Sequence, residues 1–453
     1  MKQSLLARHA LLPEGWRENV LIEWDGDGVI TSVAADGHGV PAAHFVVPGM
    51  VNLHSHAFQR AMAGLAETAG HAEDSFWTWR ELMYRFAGRI TPEQLEAVAS
   101  QLFVDCLRHG FTSVCEFHYL HRAPDGALYA RPAEMAERVA QAAAATGMGL
   151  TMLPVLYSHG GFGGQALSER QQRFKSDVGQ VLEIVEALAP LRGGRFEVGA
   201  APHSLRAASM AKIGELTRAL PAGRPIHIHI AEQQAEVDAC LAHGGRRPVA
   251  WLFDHVEVDH RWCLVHATHL DDAETNSLSA SGAVAGLCPS TEANLGDGLF
   301  PLSAFLGAGG RIGIGTDSHV GHSAVEELRW LEYGQRLRRQ RRNIAVGVEQ
   351  RRVGDYLWRA ALQGGAQASG RPVGALAVGR RADLLVLDDG HPNLAGAAPT
   401  DVLNLLVFAG NDNLIRDVLV GGKLVIEGGR HRDQSAIAAR YSTVLAQLRE
   451  LTP

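Results

Sequence analysis

Cysteine is scarce in this chain and shows no pairing pattern. Its five cysteines form no C-x-x-C spacing, which speaks against a disulfide framework and against a paired-thiol redox or metal motif. Cys115, Cys263 and Cys288 sit inside apolar runs, so packing is their expected role. Long hydrophobic runs are missing as well. No stretch approaches the ~18 apolar residues of a membrane span, and no cationic segment followed by an apolar one opens the chain. Positive charge is not in excess: the formal net charge of -7 argues against nucleic acid or an anionic membrane as the main partner. There is no internal repeat and no low-complexity linker. These absences point to a reduced, cytoplasmic globular protein, and 46% hydrophobic with 20% charged content is ordinary for that class.

What is present begins with Val-Pro-Gly-Met-Val-Asn-Leu-His-Ser-His, residues 47–56. On an extended strand, residues two apart share a face. His54 and His56 therefore present two imidazoles side by side, which suits a metal and not an apolar core. One H-x-H pair carries little weight alone. It gains weight from residues of the same kind further along the chain.

At 453 residues the chain fits a large core plus an accessory domain. Residues 1–45 hold short strand-like pieces at 4–6, 20–24 and 29–33, with Asp25-Gly26-Asp27-Gly28 as a hairpin turn. From 46 to about 370, short apolar runs alternate with longer amphipathic stretches. Strands are expected at 47–54, 112–118, 150–156, 196–201, 225–230, 262–266, 283–288 and 311–316. Helices between them include 92–109, 132–146, 169–189, 207–220, 233–243 and 271–280. Eight strand–helix units over roughly 250 residues or more are the signature of a (β/α)8 TIM-type barrel. An open doubly wound sheet is the alternative, but no G-x-G-x-x-G supports it.

The expected α/β architecture is a barrel over 46–372, a small β-sandwich domain built from both termini (1–45 and 373–430), and a C-terminal helix over 431–453. Residues 57–91 form a long insertion carrying Phe58, Phe76, Trp77, Trp79, Tyr84 and Phe86. Such a segment is usually a lid or has helices of its own.

Several expected strands end in residues suited to one metal centre. The first ends at His54 and His56, the fifth in His227-Ile228-His229-Ile230-Ala231-Glu232, the sixth at His266, and the eighth at Thr316-Asp317-Ser318. In a parallel barrel the carboxyl ends of all strands meet at one mouth. Each residue alone has a plain structural explanation, such as a helix cap for Asp317 or a satisfied core imidazole for His266. Together at one barrel end they define a site. Three imidazoles and one carboxylate suit a borderline divalent ion, zinc before others. Such an ion brings the pKa of water to roughly 7. A carboxylate that is not a ligand can then carry protons. Glu232 is placed for that work, although an acid at a helix start has its own structural use. His266 is placed to orient water or to stabilise the attacked centre.

Pro48-Gly-Met-Val-Asn-Leu-His-Ser-His56, His229-Ile-Ala-Glu232, Val265-His266-Ala267 and Gly315-Thr-Asp-Ser318 resemble the amidohydrolase superfamily. The tail from Gly374 to Asp388 is similar to its C-terminal β segment. The resemblance implies a barrel with a metal at its mouth that hydrolyses C–N bonds. It also implies His54, His56, His229 and Asp317 as ligands, with Glu232, His266 and Asp317 active in catalysis. Ala200-Ala201-Pro202-His203 stands at the end of strand four, where members with two bridged metals carry a lysine. One Zn2+ per chain is therefore expected.

Within the superfamily, the stretches 53–65, 76–80, 116–119, 202–206 and 317–320 resemble the formiminoglutamate deiminases of histidine degradation. That likeness implies a small dicarboxylate substrate with a formimino group. Guanidinium forks pair with carboxylates, so Arg206 and Arg80 are the candidate anchors, with Gln59, Tyr119 and His203 as further donors. A homodimer is the expected assembly. Two rivals remain: an aminohydrolase of a purine, pyrimidine or triazine ring, and a non-catalytic metal-binding or scaffold protein on the same fold.

Overall fold

The computed structural model describes residues 3–68 and 76–450. Part of the insertion, residues 69–75 with the side chains of Phe76, Trp77 and Thr78, lies outside the described residues, as do 1–2 and 451–453. Strands from the two ends of the chain form one eight-stranded sheet. The head supplies β1 (Gln3–Leu12), β2 (Gly15–Trp24), β3 (Ile30–Ala34) and β4 (Ala43–Pro48). Barrel strands follow as β5 (Met50–Ser55), β6 (Phe111–His118), β7 (Gly149–Leu156), β8 (Phe196–Val198), β9 (Ala201–Pro202), β10 (Ile226–Ile230), β11 (Trp262–His266), β12 (Val284–Leu287) and β13 (Arg311–Ile314). The tail returns with β14 (Leu384–Leu387), β15 (Ile415–Val420), β16 (Lys423–Glu427) and β17 (Arg430–His431).

The terminal sheet runs in the order β17-β16-β15-β14-β4-β1-β2-β3. Its joint is β4, which pairs parallel with β1 and antiparallel with β14. β1 is longer than the piece expected at 4–6 because it is paired on both sides, by β2 and by β4. Ala10, Val20, Ile22, Val46 and Leu384 pack in one cluster of this sheet.

The expected strand 47–54 is two strands, a correction with a clear cause. Pro48 ends β4, and Gly49 turns the chain into the barrel. A Cβ on Gly49 would lie 2.2 Å from the Thr112 side chain, so only glycine lets β5 start this close to β6. In the barrel, β5 to β8 pair in parallel, as do β10 to β13. Backbone bonds close both seams. Asp317 N donates to His54 O at 3.0 Å and His56 N to Asp317 O at 3.2 Å, while His227 N donates to Ala200 O at 3.2 Å. Strand four is split into β8 and β9 around Gly199, whose Cβ would meet Pro225 O at 2.2 Å.

β5, β6, β7, β10 and β11 are buried along their whole length, as expected of parallel strands covered on both faces. The helices start where local chemistry dictates. Thr91 and Gln94 form a capping box before the helix Pro92–Arg108, satisfying backbone donors that the first turn leaves open. The expected helix 169–189 is a 3-10 turn, Glu169–Phe174, followed by the helix Val178–Leu188 with Asp177 as its cap. The C-terminal helix Gln434–Glu450 lies against Pro92–Arg108, where Arg440 donates to Glu96 at 2.9 Å. All five cysteines are free and buried. Among the described residues, no helix is long and apolar enough to cross a membrane.

Candidate metal centre and catalytic pocket

At the carboxyl ends of the barrel strands, the side chains of His54, His56, His229 and Asp317 converge. Their nearest ligand atoms all lie within 4.8 Å of one another. His54 Nε2 is 3.2 Å from His56 Nε2 and 2.9 Å from His229 Nε2. Asp317 Oδ1 is 3.4 Å from His54 Nε2 and 3.2 Å from His56 Nε2.

The backbone settles which nitrogens of His56 and His229 carry protons. His56 Nδ1 donates to Phe117 O at 2.9 Å, and His229 Nδ1 donates to His203 O at 3.1 Å. In the neutral rings, Nε2 is then a bare lone pair. Lone pairs and a carboxylate oxygen facing one another at about 3 Å repel unless a cation lies between them. A tetrahedral ion with arms of about 2.0–2.1 Å has ligand–ligand edges of about 3.3 Å. The residues therefore fit a divalent metal of the zinc type.

Burial reinforces this. It pushes the His54 imidazole down to about 3 and lowers His56 and His229 as well, keeping all three as neutral ligands. For Asp317, burial opposes the charge. The imidazoles of His54, His56 and His266 outweigh it and hold the carboxyl well below the usual range.

His266 stands beside this cluster at the end of β11. Its ring stacks on His229 at 5.5 Å with 12° between planes. Nδ1 lies 3.3 Å from Glu292 Oε1, and Nε2 lies 3.8 Å from Glu232 Oε1. Burial disfavours the imidazolium, but Glu232, Glu292 and Asp317 overcome it and push His266 up to about 10. Glu232 is raised, by burial above all.

The backbone here is strained. Ala231, His266, Ala267, Asp317 and His319 all have positive φ, from 45 to 69°. Such conformations cost of order 1–3 kcal/mol each and gather at functional sites.

One pocket of ≈ 590 Å³ connects the remaining residues. His56, His229, Glu232, His266 and Asp317 line one part, and Gln59, Arg80, Tyr119, His203 and Arg206 line the rest. Every candidate ligand, catalytic and substrate-binding residue thus touches this pocket or, for His54, the cluster beneath it. Gln59 Nε2 donates to Tyr119 Oη at 2.8 Å, and Arg80 lies over the Tyr84 ring at 5.5 Å. Sequence reading overlooked Tyr157, which lines the wall, and Glu292 and Asp297, which neighbour His266. Their only signal was position, since Tyr157 follows strand three and both acids follow strand seven, where no histidine drew attention.

Barrel and site together define a metal-dependent hydrolase. This chain belongs to the amidohydrolase family, whose model matches residues 45–425. Residues 3–43 match a second model, "Formimidoylglutamate deiminase HutF, N-terminal domain". The chain is 55% identical over 449 residues to a formimidoylglutamate deiminase of Pseudomonas aeruginosa, covering 98% of this chain and 99% of that protein. It is 26% identical to a 5-methylthioadenosine/S-adenosylhomocysteine deaminase of Natronomonas pharaonis, over 87% of this chain and 84% of that one. A crystal structure of an amidohydrolase from Brucella melitensis is similar with a TM-score of 0.94 and 48% identity, covering 99% of this chain and 100% of that one.

Proposed function

We propose that this protein is a deiminase of histidine degradation. It hydrolyses N-formimino-L-glutamate with water to N-formyl-L-glutamate and ammonia. The observation that carries this reading is a single pocket with the His3Asp cluster at one part and both arginines, Arg80 and Arg206, at another. A linear substrate with a reacting formimino head and two carboxylates matches that division of charge.

His54, His56, His229 and Asp317 hold one Zn2+ in this reading. When bound, the ion supplies Lewis acidity and makes water acidic enough to deprotonate near neutral pH. The Glu232 carboxylate takes a proton from the water that attacks the formimino carbon. It returns one to the departing nitrogen, with Asp317 assisting. The C–N bond to that nitrogen breaks, ammonia leaves, and the carbonyl of the formyl group remains. His266, held between Glu292 and Glu232, orients the water and stabilises charge at the attacked carbon. Arg206 and Arg80 pair with the substrate carboxylates, and Gln59, Tyr119 and His203 add hydrogen bonds. The sheet from both termini is an accessory domain to the barrel. The enzyme works in the cytoplasm as a homodimer.

The test offers purified zinc-loaded protein N-formimino-L-glutamate and, separately, 5-methylthioadenosine. Ammonia is followed in both, and N-formyl-L-glutamate is identified by NMR. Ammonia from the ring substrate alone would overturn the reading in favour of a ring aminohydrolase. Inertness toward both would favour a non-catalytic role.

A further inference from the structure

Behind the ligand cluster lies a chain of buried polar groups to which the proposed reaction gives no work. Asn52, Ser55, Glu116, Thr316 and His319 are each at most 2% exposed. Asn52 Nδ2 donates to Thr316 Oγ1 at 2.7 Å, and Thr316 N donates to Asn52 Oδ1 at 3.0 Å. Thr316 Oγ1 lies 2.8 Å from His319 Nδ1, and His319 Nε2 lies 3.1 Å from Ser55 Oγ. Ser55 Oγ donates to Glu116 Oε2 at 2.5 Å, and Ala57 N donates to Glu116 Oε1 at 2.8 Å.

The backbone fixes one end of this chain, and an ionised Glu116 at the other end sets the direction of the rest. A backbone N–H can only donate, so Thr316 N fixes the Asn52 amide with its oxygen toward it and its nitrogen toward Thr316 Oγ1. With Glu116 ionised, that hydroxyl accepts from Asn52 and sends its own proton to His319 Nδ1. A neutral imidazole that accepts on Nδ1 donates on Nε2, here to Ser55 Oγ. Ser55 then sends its proton to Glu116, whose other oxygen already accepts from Ala57 N. Both oxygens of the ionised Glu116 are then acceptors. Burial opposes that charge and pushes the Glu116 carboxyl up to about 8, against the hydrogen bonds from Ser55 and Ala57 N, which favour it.

The chain threads the ligand set. Ser55 sits between His54 and His56, Thr316 precedes Asp317, and Phe117, next to Glu116, accepts from His56 Nδ1 at 2.9 Å. We infer that Glu116, ionised in the metal-loaded protein and linked through Ser55, His319, Thr316 and Asn52, is a positioning residue that holds the ligand-bearing strand ends in register. The inference rests on the proposed metal site and adds to it a residue that touches neither ion nor substrate.

The test is Glu116→Gln. A glutamine can accept from Ala57 N only by turning its amide nitrogen, a donor, toward Ser55. The Ser55 proton must then point at His319 and reverse the imidazole tautomer, which orphans the Thr316 hydroxyl proton. Zinc affinity, measured by chelator competition, should fall about 10–100-fold, the usual effect of losing a partner behind a metal ligand. The melting temperature of the metal-free protein should hold, because removing a buried charge offsets the orphaned hydroxyl proton. His319→Asn should also weaken zinc binding, although asparagine tolerates the left-handed backbone at this position (φ 62°). Thr316→Ser, which keeps the hydroxyl, should bind zinc like wild type.

Wild-type affinity in Glu116→Gln would overturn the inference. So would a loss of affinity matched by a fall in metal-free stability, which is the mark of a merely structural residue. Failure of the wild-type protein to bind zinc at all would instead strike the metal site itself.

Discussion

The terminal sheet and the barrel mouth bend the backbone in opposite ways. In the sheet and its loops, left-handed conformations fall on glycines such as Gly28 and Gly421, or on Asn19 and Asp36, residue types that adopt them at little cost. At the mouth, Ala231 and Ala267 take the same conformation with no side-chain hydrogen bond to offer in return. The mouth also buries Glu232, His266, Glu292, Asp297 and Asp317, whereas the sheet packs Ala10, Val20, Ile22, Val46 and Leu384. The sheet follows most local rules of stability, with Arg381 and Asp383 as its buried charges. The mouth breaks several at once, and it breaks them where three strand ends must bring their side chains to one point.

If that contrast is real, substitutions at the mouth abolish chemistry and those in the sheet only lower stability. The largest effect belongs to the ligand set. Asp317→Asn or His229→Ala should lose bound metal and activity together, since ligand count and geometry fail at the same time. Metal analysis of the purified variants decides it. A variant that keeps both would mean that the cluster is not the working centre. Stoichiometry sharpens the point, because one metal per chain is expected and two would break the single-ion reading.

Glu232→Gln comes next. It keeps shape and hydrogen bonding but removes basicity, so metal should stay while kcat falls ~10²–10⁴-fold. Near-normal turnover would remove Glu232 from its role. Arg206→Met should follow with a smaller and selective loss. Leaving one side of a desolvated charged pair without its partner costs on the order of 2–5 kcal/mol, at least tens-fold in kcat/KM for N-formimino-L-glutamate. A formimino compound lacking the matching carboxylate should be processed equally by both proteins. An equal loss on both substrates would point to damage rather than to anchoring.

Sequence alone disclosed the barrel because its strands are covered on both faces and so read as apolar runs. β6, β7 and β11 begin and end within a residue or so of their expected limits. The ligand residues were legible for a related reason, since histidines and acids stand out where such runs stop. The chain from Asn52 to Glu116 was not legible as a network. Its members look like ordinary strand and loop residues, and their partners lie far away, as with Asn52 and Thr316, 264 positions apart. The break at Pro48-Gly49 was missed because apolar residues, Val47 and Met50, flank it on both sides. Only the approach to Thr112, distant in sequence, explains the glycine.

The smallest expected effect tests the sheet's half of the comparison. Ile22 on β2 is fully buried at 0% exposure and packs in the sheet's own cluster. Ile22→Val removes one methylene and leaves a small void, a change that typically costs 0.5–1.5 kcal/mol, that is, about 1 kcal/mol. A lower denaturation midpoint is expected, with zinc content and kcat/KM as in wild type. The sheet does have a direct route to the site: β4 passes through Pro48-Gly49 into β5, which ends at His54 and Ser55. A strain carried along that route would displace the first two ligands. Unchanged zinc affinity in Ile22→Val would show that the two regions are energetically separate, and that Gly49 against Thr112 stops small shifts in the sheet. A loss of affinity larger than the loss of stability would show the reverse. The terminal sheet would then belong to the metal site's supporting structure, and the division between a relaxed region and a strained one would fail.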